Sequence, residues 1–303
     1  MSESLPIVFA AYPLLLSGAA LIWLICLGGQ DKLTWAVLVL ACGSIMAFAF
    51  LAGSWAFTSY FLRYVFLGLF AVVSMFLYFR TGCGNSHGRP RGSGITVLRA
   101  AIFLLFSVLN VLAIASHYPS GKTLDLDFPL GSGTYYVLQG GASAVTNPFH
   151  TLSGDKKAVD IVKLNRFGNR ADGIAPRALG GYEIYGETVH SPCRGRIDRV
   201  RDGRPDNPPG HPDTERSEGN YIVLKCAEAD VFMAHLKRGS IKVAPGEVVT
   251  AGQPLAEIGN SGNSLEPHLH ISGTENGREI GLRFNGRTLS INSVIRRGEV
   301  VPN

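Results

Sequence analysis

The first 117 residues contain almost no acid: Glu3 and Asp31 are the only carboxylates, and the runs Ser4 to Gln30 and Leu33 to Leu62 carry no charged side chain at all. A soluble helix of that length needs a polar face, and these runs offer none, which excludes an ordinary soluble bundle. Beyond His117 the reverse holds, for no helix-length apolar stripe is present and charges and turn residues recur every few positions. The 46% hydrophobic content is therefore an average over two unlike halves. The chain also lacks an internal repeat and a basic-aromatic stripe, so the net charge of +5 does not point to nucleic acid.

A bilayer core about 30 Å thick is crossed by roughly 20 apolar helical residues. Four spans meet that length, at 6–27, 33–53, 57–79 and 96–116, giving a transmembrane region over 1–117. Arg63 interrupts the third span, where its long side chain is expected to snorkel to the headgroups. Arg80, Arg89, Arg91 and Arg99 cluster between the third and fourth spans without one acid. Basic residues collect in short cytoplasmic loops, so this loop and Lys32 lie inside and whatever follows the fourth span lies outside. The expected location is the inner or cell membrane, with the C-terminal domain extracytoplasmic. Cys26 and Cys42 fall in spans and Cys83 in the cytoplasmic loop. Cys193 and Cys226 are left as the pair that an oxidising compartment permits to bond.

Residues 118–134 read as a tether and 135–303 as an all-β domain of small antiparallel sheets. Its short β-type runs, 135–138, 158–162, 196–201, 221–225, 231–236, 254–258 and 268–272, are punctuated by Gly, Pro, Asn and Asp clusters. The loops 165–183 and 201–219 are candidate cleft walls.

Asp160 stands alone in the apolar run from Ala158 to Val162, and an ionised carboxylate buried there needs a cationic partner, either an arginine such as Arg166 or Arg170 or a metal ion. His268 and His270 are two apart on a β-type run, so both imidazoles face one way while Leu269 faces the other. His235 ends another such run, and His150 lies in a loop ten residues before Asp160. Catalytic zinc takes three protein ligands and keeps a fourth position open, and this set is large enough to supply ligands and leave imidazoles free. His87, His117, His190 and His211 have no such context.

The order Met233-Ala234-His235-Leu236, Gly246-Glu247-Val248-Val249-Thr250-Ala251-Gly252-Gln253, Gly259-Asn260-Ser261-Gly262 and Pro267-His268-Leu269-His270 closely resembles the lysostaphin-type, or LytM-like, zinc endopeptidases. Upstream, Gly186-Glu187-Thr188-Val189 and Ser191-Pro192-Cys193-Arg194-Gly195 are similar to that family's strand pair. The resemblance implies one zinc ion per chain held by His150, Asp160 and His270, with His235 and His268 as catalytic histidines. It implies hydrolysis of peptide bonds, with peptidoglycan cross-links as the substrate class. The family's first histidine commonly stands four residues before the aspartate. Here 152–157 lengthens the interval, and Asp155 within it, the competing choice for that aspartate, falls in a polar turn and reads as a turn residue, so Asp160 is preferred. A non-catalytic module of the same fold, binding cell wall or activating another hydrolase, is the alternative; such modules usually lack a ligand or a catalytic histidine, and all five are present here.

Overall fold

The computed structural model describes residues 4–28, 31–81, 93–118 and 121–297. Cys83, His87, Arg89 and Arg91 lie outside them. Four helices come first: α1 (Leu5–Leu27), α2 (Lys32–Ala52), α3 (Leu62–Arg80) and α4 (Ser93–Ala115), each long and apolar enough to cross a membrane. Their shared core is built by Ala20, Leu24, Leu38, Cys42, Met46 and Leu77. Large apolar side chains such as Leu69, Val72, Met75, Leu104 and Val108 remain exposed, as a lipid-facing surface requires.

The third helix begins five residues later than expected, because Trp55–Phe57 is a short 3-10 turn in the hairpin between α2 and α3. Arg63 accordingly sits in the first turn of α3. It does not snorkel: its side chain is buried, with the guanidinium 3.8 Å above the Phe50 ring. Stacking on an aromatic face compensates the charge there.

The rest of the chain is β-rich. β1 (Thr123–Leu126) and β2 (Gly133–Gln139) precede a short helix α5 (Pro148–Ser153), followed by β3 (Val159–Leu164), β4 (Thr188–His190), β5 (Gly195–Arg201), β6 (Tyr221–Cys226) and β7 (Ala229–Ala234). Then come β8 (Val248–Val249), β9 (Pro254–Glu257), β10 (Leu269–Glu275), β11 (Arg278–Phe284), β12 (Arg287–Thr288) and β13 (Val294–Arg297). The main sheet runs β13-β2-β3-β10-β7-β6-β5-β8, and β4 pairs with β9 separately. The expectation of a tether over 118–134 is corrected: β1 pairs in parallel with β11, and Phe128 and Leu130 are core residues. Between Phe128 and Leu130 stands Pro129, which interrupts a strand pattern, so this stretch does not read as folded. Cys193 and Cys226 are joined in a disulfide, with Cα atoms 6.0 Å apart.

The central strands have two covered faces. Tyr135, Val137 and Ile161 point into the main core with Leu269 and Ile271. Their neighbours Tyr136, Leu138, Val162 and Leu164 point the other way, onto Ala10, Ala56 and Phe57 of the helical half. Backbone hydrogen bonds close the same seam, from Tyr60 to the Gly168 carbonyl at 2.9 Å and from Arg170 to the Ala56 carbonyl at 3.2 Å. Asn292 adds a side-chain bond to the Leu51 carbonyl at 2.8 Å. The bundle and the sheet thus share a core, on the face where Asp160 also lies.

Candidate metal centre

Strand register assembles the site. In the ladder His270 stands opposite Asp160 of β3 on one side and opposite Ala234 of β7 on the other, which brings His235 in from the end of β7. His268 joins His270 on the same face by the period of two. His150 comes from α5, whose side chain is held by a 2.7 Å hydrogen bond between Nδ1 and Asn147 Oδ1. The five residues named from sequence are therefore brought together, and all are buried.

Three imidazoles converge on one carboxylate oxygen. Asp160 Oδ1 is 3.3 Å from His150 Nε2, 3.4 Å from His268 Nε2 and 3.1 Å from His270 Nδ1. Neither Arg166 nor Arg170 pairs with Asp160, which answers the arginine alternative. Burial alone would raise the Asp160 carboxyl, but the surrounding imidazoles of His150 and His268 hold it well below the usual carboxylate range. Burial likewise opposes a proton on His270, yet its bonds to Asp155 and Asp160 lift it to about 9. His268 is raised by Asp160 against its burial. For His235 burial dominates, reinforced by the imidazoles of His268 and His270, and its pKa falls well below the ordinary value, so it is neutral at ordinary pH.

This donor set fits zinc. Two overlapping groups, His150 with Asp160 and His270, and His235 with His268 and His270, keep their donor atoms within 4.8 Å of one another. Tetrahedral zinc with bonds of 2.0–2.1 Å separates its ligand atoms by about 3.3 Å. The separations of 3.3 Å and 3.1 Å from Asp160 to His150 and His270 match that edge, and this group alone includes the carboxylate.

The other two histidines are held by backbone. His235 Nδ1 is 2.8 Å from the Ser261 carbonyl, and His268 Nδ1 is 2.8 Å from the Glu266 carbonyl. A carbonyl can only accept, so Nδ1 carries the proton in both; in His235 this leaves Nε2 as the basic nitrogen, while His268 Nε2 faces Asp160 Oδ1. His235 takes a φ of +62°, rare for a side chain other than glycine, to turn its ring toward His268, 4.9 Å away between centroids.

Several supporting residues escape a reading by motif. Asp155 is not a simple turn residue, for its Oδ2 lies 3.1 Å from His270 Nε2. Arg170 donates to both carboxylate oxygens of Glu266 at 2.6 Å, and the pair is almost fully buried. The only sequence signal for these was acids near the histidines, and an acid in a polar stretch looks solvated. Tyr135 and Tyr136 are buried elsewhere, with Tyr135 bonded to Ser132 and Glu187.

The site opens into a cavity of about 750 Å³. Of the two loops expected as walls, 201–219 supplies Pro212, Ser217 and Glu218. The loop 165–183 contributes none of the lining, because it packs on the α2–α3 hairpin through Phe167, Gly168 and Asn169. The opposite wall comes from the helical half: Leu5, Pro6 and Phe9 of α1, and Phe57.

Residues 182–281 match the sequence profile of peptidase family M23. That stretch, about a third of the chain, includes His235, His268 and His270 and begins after His150 and Asp160. Among solved structures, a zinc-containing peptidase from Vibrio cholerae is 19% identical with a TM-score of 0.30, covering 51% of this chain and 39% of that one. A putative peptidase M23 from Pseudomonas aeruginosa is 15% identical with a TM-score of 0.31, covering 64% and 61%. The catalytic domain of the antimicrobial peptidase lysostaphin from Staphylococcus simulans is 22% identical with a TM-score of 0.23, covering 40% and 84%. This chain thus spans well under two thirds of the Vibrio cholerae chain. With the histidine strands inside the matched segment, residues 182–281 are similar to peptidase family M23, the kind of protein the motifs resemble.

Proposed function

We propose that this protein is a membrane-anchored zinc metalloendopeptidase that cleaves the peptide cross-links of peptidoglycan. The observation that carries the reading is the meeting of three imidazoles on the buried Asp160 carboxylate at the floor of an open cleft. His150, Asp160 and His270 would hold one zinc ion. When bound, zinc supplies a Lewis acid that polarises a carbonyl and lowers the pKa of a coordinated water to about 7.

His235 and His268 do the proton work. Each has Nδ1 tied to a backbone carbonyl, so neither can turn its ring without losing that bond. A neutral His235 is ready to accept a proton as general base. His268, whose proton affinity is raised beside Asp160, is suited to hand a proton to the leaving amine. The apolar wall of Leu5, Pro6, Phe9 and Phe57 excludes water from one side of the cleft and sets it at the end of the membrane helices.

The proposed address is outside the cytoplasm. Lys32 and Arg80 stand at the helix ends away from the sheet, with Lys32 over the Tyr78 ring, as basic residues on a cytoplasmic face do. The disulfide suits an oxidising compartment.

The test is digestion of purified cross-linked peptidoglycan by the full chain in detergent, followed as newly released amines. His235→Ala is expected to lower the rate by about 100-fold or more, the usual share of general acid–base catalysis, while zinc content is unchanged. Zinc binding without release of amines would instead favour the module that activates another hydrolase.

A further inference from the structure

The long interval between His150 and Asp160 places a second acid, Asp155, at the site. We propose that Asp155 is a positioning residue for the metal centre: its carboxylate holds His270 through Nε2 and so presents Nδ1 beside Asp160 and His150. This rests on the reading of His150, Asp160 and His270 as zinc ligands.

The His270 ring is bridged between two carboxylates. Its Nε2 is 3.1 Å from Asp155 Oδ2, and its Nδ1 is 3.1 Å from Asp160 Oδ1. What one ring nitrogen is bonded to fixes the tautomer of the other and the tilt of the ring. Asp155 faces the nitrogen remote from the proposed metal, which suits an orienting partner rather than a fourth ligand.

The backbone fixes Asp155 in turn. α5 ends at Gly154, whose φ of +91° opens the left-handed cap, and the amides of Gly154 and Asp155 both bond the His150 carbonyl at 3.1 Å. The Ala158 amide bonds the Asp155 carbonyl at 3.1 Å, closing the turn into β3. One short segment thus delivers the ligand His150, the orienting Asp155 and the ligand Asp160. A residue serving the turn alone would need only its backbone there, whereas this side chain lines the cleft and reaches across to β10.

The experiment measures zinc affinity of the full chain in detergent, by competition with a chromogenic chelator, for the unsubstituted protein, Asp155→Ala and Asp155→Asn. The absorption spectrum of the cobalt-loaded forms is recorded alongside. Asp155→Ala is expected to weaken zinc binding by about 10- to 100-fold and to alter the cobalt spectrum. Asp155→Asn keeps an acceptor oxygen of the same reach and is expected to recover most of that loss. Zinc affinity in Asp155→Ala within twofold of the unsubstituted chain would overturn the role of Asp155 while leaving the metal site standing. Equal losses in both variants, with the metal-free protein destabilised in each, would also overturn it, as a purely structural effect. Failure of the unsubstituted chain to bind zinc would overturn the metal-site reading itself.

Discussion

A single buried carboxylate explains why this site has the residues it has. Asp160 interrupts an apolar strand, and without a cation its ionised form would be very costly there. The imidazoles of His150, His268 and His270 surround its Oδ1 at 3.1–3.4 Å, and the ligands proposed are Asp160 with His150 and His270. A second buried charge pair stands behind the segment before His268, where Arg170 grips the Glu266 carboxylate while the Glu266 carbonyl holds His268. The Arg170 guanidinium also stacks 3.5 Å from the Phe57 ring centroid, joining that loop to the membrane hairpin. Arg170→Ala would leave Glu266 buried and unpaired, and breaking such a pair costs about 3–5 kcal/mol. The expected result is a lowered denaturant midpoint and slower hydrolysis. Replacing the pair by Arg170→Met with Glu266→Leu is expected to recover stability but not the His268 geometry, read as a persistent loss of kcat.

At the scale of elements, the turn 259–262 does the most with the least. Gly262 has a φ of +78° and packs its Cα so closely that a Cβ would stand 2.4 Å from the Gly219 amide nitrogen. That contact seats the loop 201–219 against the carbonyl of Ser261, which holds His235. Gly262→Ala is expected to destabilise the protein by more than about 1 kcal/mol, the cost of the left-handed conformation alone, and to lower kcat with zinc content retained. Thermal denaturation and metal analysis on one preparation check both halves.

The elements also show what was legible beforehand. The four helices, the histidine pair on one strand face and the Asp160 strand follow from periodicity and burial costs, which are local. The pairing of β1 with β11 is not local, and neither is the Arg170–Glu266 bond across 96 residues. Asp155 was read as a turn residue for the same reason, since its partner is 115 residues away and its own neighbours are Gly and Lys. Arg63 was assigned to the headgroups because the helix start, hidden among aromatic residues, could not be placed.

Across the whole molecule, the helical half is joined to the sheet by a shared core. Tyr136, Leu138, Val162 and Leu164 bury their side chains on Ala10, Ala56 and Phe57, and Phe9 of α1 stacks edge-on against Phe149, next to the proposed ligand His150. A fragment beginning at Thr123 would expose that apolar face, and each such side chain contributes about 1.5–3 kcal/mol when buried. The fragment is therefore expected to bind a hydrophobic dye and to aggregate, whereas the full chain in detergent does neither. A monodisperse fragment with undiminished activity would mean that the shared core contributes little.

The central claim is that His150, Asp160 and His270 hold zinc while His235 and His268 act beside it. Its most direct test is the zinc content of the full chain purified in detergent, compared with His270→Ala and His235→Ala. The account predicts about one zinc per chain, its loss in His270→Ala and its retention in His235→Ala. Zinc retained in His270→Ala, or lost in His235→Ala, would contradict the division of roles, and no zinc in the unsubstituted chain would contradict the site.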